Sequence, residues 1–141
     1  MREIHVSQII KEVKEMCIEA NLSLTKDVGD RIRCAAKSET GTVAKKILEQ
    51  LVENMEIAAA EQIPICQDTG MAVTFMEIGQ DVHIDGDLNE AVNEGVKNGY
   101  VNGYLRKSVV EDPLLRKNTG DNTPADIVLR LVPGDQPQGR L

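Results

Sequence analysis

The sequence predicts an α+β domain: N-terminal helices followed by a small sheet with one helix set between its strands. Three observations lead there. Through the first half, apolar residues recur at steps of three and four. After Pro64 the period changes to strand-like alternation, and Asp126–Val132 (DIVLRLV) reads as a final strand ended by Pro133-Gly134.

The elements follow in order. Val6, Ile9, Ile10, Val13, Met16, Cys17 and Ala20 fall on one stripe of an amphipathic helix. A second helix is expected after Thr25 as N-cap, turning Val28, Ile32, Ala35 and Ala36 inward, with Gly41 near the following break. The third and longest carries Val43, Ile47, Leu48, Leu51, Val52, Met55 and Ala59 at helical spacing, and Pro64 marks its outer limit. Ala72–Ile78 (AVTFMEI) is a strand, Val82–Ile84 is its short partner, and Gly79-Gln80 makes the turn between them. From Asp87, a good N-cap, Leu88, Ala91, Val92, Val96 and Tyr100 predict a helix that frays over Gly99–Gly103. A polar loop then leads to the last strand. No internal repeat or low-complexity tract is visible.

Composition narrows the function classes. A chain of 141 residues with 41% hydrophobic content suits one domain, residues 1–141, burying roughly two-thirds of its unfolded surface. Its net charge of −7 and lack of a dense Lys/Arg run exclude nucleic acid and anionic membranes as natural partners. Aromatics are 2% of residues (Phe75, Tyr100, Tyr104), too few for base-stacking platforms. No apolar stretch is long enough to span a membrane, and the N-terminus lacks the order of a secretory signal, so a cytoplasmic protein is expected. Cys17, Cys34 and Cys66 are odd in number and widely spaced, which suits neither a disulfide framework nor a zinc site.

Two segments are left unexplained by regular structure. Ile63–Met71 (IPICQDTGM) packs a proline, a thiol, an amide, a carboxylate, a hydroxyl and a glycine between a helix and a strand. A thiolate on such a turn is a soft ligand of the kind iron–sulfur clusters use, with Gln67, Asp68 and Thr69 beside it. A single cysteine in a turn is also commonly just a packed thiol. Leu105–Ala125 (LRKSVVEDPLLRKNTGDNTPA) gathers Arg106, Lys107, Arg116 and Lys117 with Asn118, Thr119, Asp121 and Asn122. Cations among hydroxyls and amides suit a small dicarboxylate, because arginine grips a carboxylate through two parallel hydrogen bonds. The plain alternative is a solvated charged loop. His5 and His83 are isolated and read as structural or surface residues; no glycine-rich phosphate motif is present, and Ser108 has no evident triad partners.

The two segments together, Pro64–Gly70 with its Cys-Gln-Asp-Thr-Gly and Arg106–Ala125 with its Arg-Lys-Ser-Val-Val and Arg-Lys-Asn-Thr-Gly-Asp-Asn-Thr-Pro-Ala, resemble the class I fumarate hydratases and the alpha subunits of two-subunit fumarases and L-tartrate dehydratases. The resemblance covers most of the chain, from the leading helices to Val132-Pro133-Gly134-Asp135. It implies an iron–sulfur hydro-lyase that reversibly dehydrates a small hydroxy-dicarboxylate, malate/fumarate or tartrate. It also implies a 4Fe-4S cluster held by three cysteines, with one iron left open to substrate. Carried over, Cys66 matches the first cluster ligand, Gln67 and Asp68 match residues that contact or orient substrate, and Arg106 matches an arginine that pairs with a substrate carboxylate. Asn118–Asn122 belongs to the family signature near the cleft.

This chain also departs from the pattern. The family's other two cluster cysteines lie downstream of the second motif, and no cysteine follows Cys66 here. Cys17 and Cys34 are expected to join apolar helix faces. Gln136–Leu141 (QPQGRL) looks unlike the strand and glycine-rich loop with which the family continues. The expectation is therefore the N-terminal part of an alpha subunit, truncated or separately encoded. Its catalytic base would lie in a beta-type subunit or C-terminal domain, the complete protein would be oligomeric, and the isolated chain would be inactive. Metal-free fragment and carboxylate-binding module are the readings from other classes.

Overall fold

The computed structural model describes residues 2–66 and 70–140. The elements run β1 (Arg2–His5), α1 (Val6–Leu22), α2 (Lys26–Ser38), α3 (Thr42–Glu61), β2 (Val73–Gly79), β3 (Val82–Asp85), α4 (Leu88–Asn102), β4 (Asp126–Val132) and β5 (Pro137–Arg140). This is the expected α+β class. The chain divides into two compact units, Met1–Ile18 with Thr69–Leu141, and Glu19–Asp68.

In the first unit, β4-β2-β5 form a three-stranded sheet, with β4 parallel and β5 antiparallel to the central β2. The parallel pair registers Val73 with Asp126 through Gly79 with Val132. A parallel pair needs a long crossover, and α4 with the loop after it provides it. Val13 and Cys17 of α1 pack with Ala72, Val92, Val96, Tyr100 and Leu105 as one buried cluster.

The expected hairpin between β2 and β3 does not form: the chain turns at Gln80 and Asp81, but β3 pairs in parallel with β1. The donors that would close the hairpin are already engaged. Gly79 N donates to Gln136 O (3.1 Å), Gln80 N to Val132 O (2.9 Å) and Asp81 N to Gly134 O (3.0 Å). The approach is so close that a Cβ on Gly79 would lie 2.2 Å from Gly134 O, so only glycine fits. The same contacts carry the chain into β5, which makes Pro137–Arg140 a strand where the sequence suggested none.

Helix α4 also differs from expectation. Asp87 caps it as predicted, its Oδ1 accepting from Glu90 N at 2.9 Å. The helix does not fray over Gly99–Gly103 but continues to Asn102, because Gly95, Gly99 and Tyr100 are buried. The intrinsic cost of two helical glycines, about 1 kcal/mol each, is offset by the close packing against α1 that they permit.

In the second unit, Thr25 occupies the N-cap position of α2, but its hydroxyl makes no capping bond. Gly29 and Ala36 of α2 and Met55 and Ala58 of α3 are buried. Val28, expected to face inward, is 43% exposed; the α2 contact with α3 runs instead along the Gly29 edge, where Met55 Sδ lies within 3.8 Å of a built Cβ. Cys34 is exposed as well, so it does not join a packed face. Among the described residues no helix is long and apolar enough to cross a membrane.

Candidate functional site

The first segment is the turn after α3. Gln62 ends that helix in the left-handed conformation (φ 55), and the chain then runs out through Pro64 to Cys66. Two asparagines hold this path: Ile65 N donates to Asn21 O at 2.8 Å, and Cys66 N donates to Asn54 Oδ1 at 3.1 Å. Asn54 lies on α3 at helical spacing from Ile47 and Leu51, and nothing in the local sequence marks it as an anchor. The turn leaves Cys66 as an exposed free thiol. Gln67 and Asp68 lie outside the described residues.

The three cysteines have different surroundings. Cys17 is completely enclosed, and burial pushes its thiol up to about 12, which keeps it protonated and unreactive. Cys34 sits exposed on α2, and Cys66 alone stands on a turn. Among the described residues no group of three His, Cys, Asp or Glu side chains comes together to hold a metal ion. The donor chemistry thus fits one corner of an iron–sulfur cluster, at Cys66, and these residues do not form a complete ligand set.

The second segment is more ordered than a solvated loop. Val110 bridges to Asn118, Glu111 N donates to Lys117 O at 2.8 Å, and Thr119 N donates to Val109 O at 3.0 Å. At the tip, Asp112 Oδ1 accepts from Leu114 N and Leu115 N, both at 2.8 Å. Lys117 Nζ pairs with Glu111 at 3.1 Å, which removes it from the set of unpaired cations. Asn118 accepts from Gly120 N (2.8 Å) and donates to Lys107 O (3.0 Å).

Arg106 stands on the incoming arm of this hairpin. Its neighbours are held on both sides: Leu105 N donates to Tyr100 O at 3.1 Å, and the main chain of Lys107, Ser108 and Val109 is bonded to Asn118 and Asn122. The Arg106 side chain is exposed and has no ion pair among the described residues. It is a cation on a pinned backbone, available to an anion. Near the far end of the hairpin, burial alone would raise the Asp121 carboxyl, but hydrogen bonds from the Thr123 backbone and side chain and from Thr119 outweigh burial and hold it below the usual aspartate range. Asp121 is therefore a structural acceptor that stays ionised.

A sequence model described as fumarate hydratase (Fumerase) matches residues 10–138. The chain belongs to the fumarate hydratase family. Within that family, it is 36% identical over 112 residues to a Methanocaldococcus jannaschii protein provisionally named L(+)-tartrate dehydratase subunit alpha, covering 78% of this chain and 39% of that protein. It is 40% identical over 94 residues to the anaerobic class I fumarate hydratase of Escherichia coli K12, covering 65% and 17%. It is 29% identical over 133 residues to the L(+)-tartrate dehydratase subunit alpha of the same strain, covering 88% and 43%. The chain therefore spans less than half the length of each of these fumarate hydratase relatives.

Proposed function

We propose that this chain forms the N-terminal part of the alpha portion of an iron–sulfur hydro-lyase, which reversibly dehydrates a small hydroxy-dicarboxylate of the malate/fumarate or tartrate kind. The observation that carries this reading is Arg106: an exposed guanidinium with no ion pair among the described residues, on a backbone tied by Asn118 and Asn122, in a chain matched to the family over residues 10–138. A planar guanidinium fixed in place can accept a carboxylate through two parallel hydrogen bonds. Gln67 and Asp68 contact or orient the same substrate.

Cys66 is one ligand of a 4Fe-4S cluster in the complete enzyme, with further cysteines supplied by other sequence. Bound there, such a cluster supplies Lewis-acid polarisation of a substrate hydroxyl. The proton-abstracting base belongs to a beta-type subunit or C-terminal domain, in keeping with relatives named as alpha subunits. The complete protein acts as a cytoplasmic oligomer. One cysteine cannot hold such a cluster securely, so the isolated chain is expected to lack dehydratase activity.

The test is anaerobic reconstitution with iron and sulfide of the chain expressed with the remaining alpha sequence and a beta-type subunit, reading cluster absorption and turnover of fumarate and tartrate. Cys66→Ser is expected to lose both absorption and turnover. Arg106→Ala is expected to keep the absorption and raise KM by about a hundredfold, the cost of removing a charged hydrogen-bonding partner. Retention of cluster and turnover by Cys66→Ser would end the ligand assignment.

A further inference from the structure

In the sequence Asn122 is one amide of the Asn118–Asn122 signature, with no role of its own marked. In the fold it is completely buried, with its backbone in the left-handed region at φ 64. Its side chain uses both ends. Oδ1 accepts from Ser108 N at 2.7 Å and from Val109 N at 3.0 Å, while Nδ2 donates to Gly70 O at 3.2 Å. Gly70 is the last residue of the Cys-Gln-Asp-Thr-Gly motif, and Ser108 comes two residues after Arg106. One enclosed amide thus ties the outgoing end of the first motif to the segment that bears Arg106.

Few side chains could do this. The position needs an acceptor for two N–H groups, a donor for one C=O and tolerance of positive φ, all within the reach of a short side chain. Aspartate lacks the donor, glutamine is a methylene too long, and an apolar residue would leave three backbone groups unpaired in a buried place. Asparagine combines all three properties and enters the left-handed region more readily than most residues. The Arg106 side chain, by contrast, is exposed and would sweep a wide range of directions if its backbone were loose.

The geometry points to Asn122 as a positioning residue for substrate binding: it fixes the Arg106 segment against Gly70, so that the guanidinium is presented to a substrate carboxylate from one direction. This inference rests on the hydro-lyase reading, in which Arg106 binds that carboxylate. Asn122 itself is enclosed and acts through Arg106.

The decisive variant is Asn122→Asp in the complete enzyme. It keeps the size, the acceptor for both N–H groups and the tolerance of positive φ, while it replaces the donor to Gly70 O by an acceptor oxygen and places a carboxyl charge in the buried site. KM for the dicarboxylate should rise about tenfold, the ordinary worth of one hydrogen bond, with a smaller change in kcat. In an Arg106→Ala background the same substitution should alter KM by less than about twofold, because the group whose placement it disturbs is gone. A residue that only stabilised the fold would impose the same KM penalty in both backgrounds, and that result overturns the inference. If Arg106→Ala raises KM and Asn122→Asp does not, the positioning role falls while the hydro-lyase reading stands. If Arg106→Ala leaves KM unchanged, the assigned role of Arg106 falls and the inference with it. Hydrogen exchange on the unsubstituted chain adds a check that does not depend on the variant folding: the Ser108 and Val109 amides should be protected, and rapid exchange at both would remove the brace.

Discussion

Helices α1 and α3 carry the same three-and-four apolar spacing, yet the fold treats them differently. On α1, Val13 and Cys17 are 2% and 0% exposed, and α4 approaches so closely that a Cβ on Gly99 would lie 2.6 Å from Cys17 Cβ. On α3, Val43 is 73%, Ile47 52% and Leu51 46% exposed, and burial is confined to the last turns at Met55 and Ala58. The period of a helix reports that one face is apolar; it carries no information about what covers that face. In α1 the cover comes from Val92, Val96 and Tyr100 of α4, more than seventy positions away in sequence, with Gly95 and Gly99 permitting the close approach.

The comparison can be broken most directly at the α1–α4 contact. Gly99→Leu should destabilise the chain by about 3 kcal/mol, because neither helix can yield without losing the buried cluster. Urea unfolding measures this, and an unchanged midpoint would mean that the two helices are not locked. A smaller effect separates the thiols: at about neutral pH a thiol reagent should modify Cys34 and Cys66 promptly and Cys17 only when the fold opens. Mass spectrometry of the labelled chain reads the order, and early modification of Cys17 would contradict its enclosure. Smallest of all should be Ile47→Ala and Leu51→Ala in the isolated chain, each within about 0.5 kcal/mol of the parent in the same urea experiment. A loss several times larger would show that the α3 stripe is covered after all.

The candidate site shows a similar division. Residue type placed Cys66 in an irregular segment and Arg106 among four cations beside amides; the ligand role of the first and the carboxylate-binding role of the second are what the resemblance to the family implies. Asn54 was marked by nothing in the sequence, and Asn122 only as part of the Asn118–Asn122 signature, with no role of its own. Both are asparagines in segments rich in polar residues, and what distinguishes them is the backbone group each meets: Cys66 N for one, and Ser108 N, Val109 N and Gly70 O for the other. Lys117 illustrates the reverse error, a cation that looked available in the sequence and is paired with Glu111 in the fold.

The sequence by itself determined the α+β class, the four helices and their approximate limits, the Asp87 cap, the two long strands and the two motif-bearing segments. These depend on periodicity, capping and turn chemistry, which act over a few residues. Tertiary structure alone decided the strand partners, the burial of Gly95 and Gly99, the exposure of Cys34, and the two asparagine anchors. Strands β1 (REIH) and β5 (PQGR) are four residues each and exist through pairing with β3 and β2. Hydrogen bonds between segments far apart in the chain leave no local period, so such elements become visible only when the partner is in place.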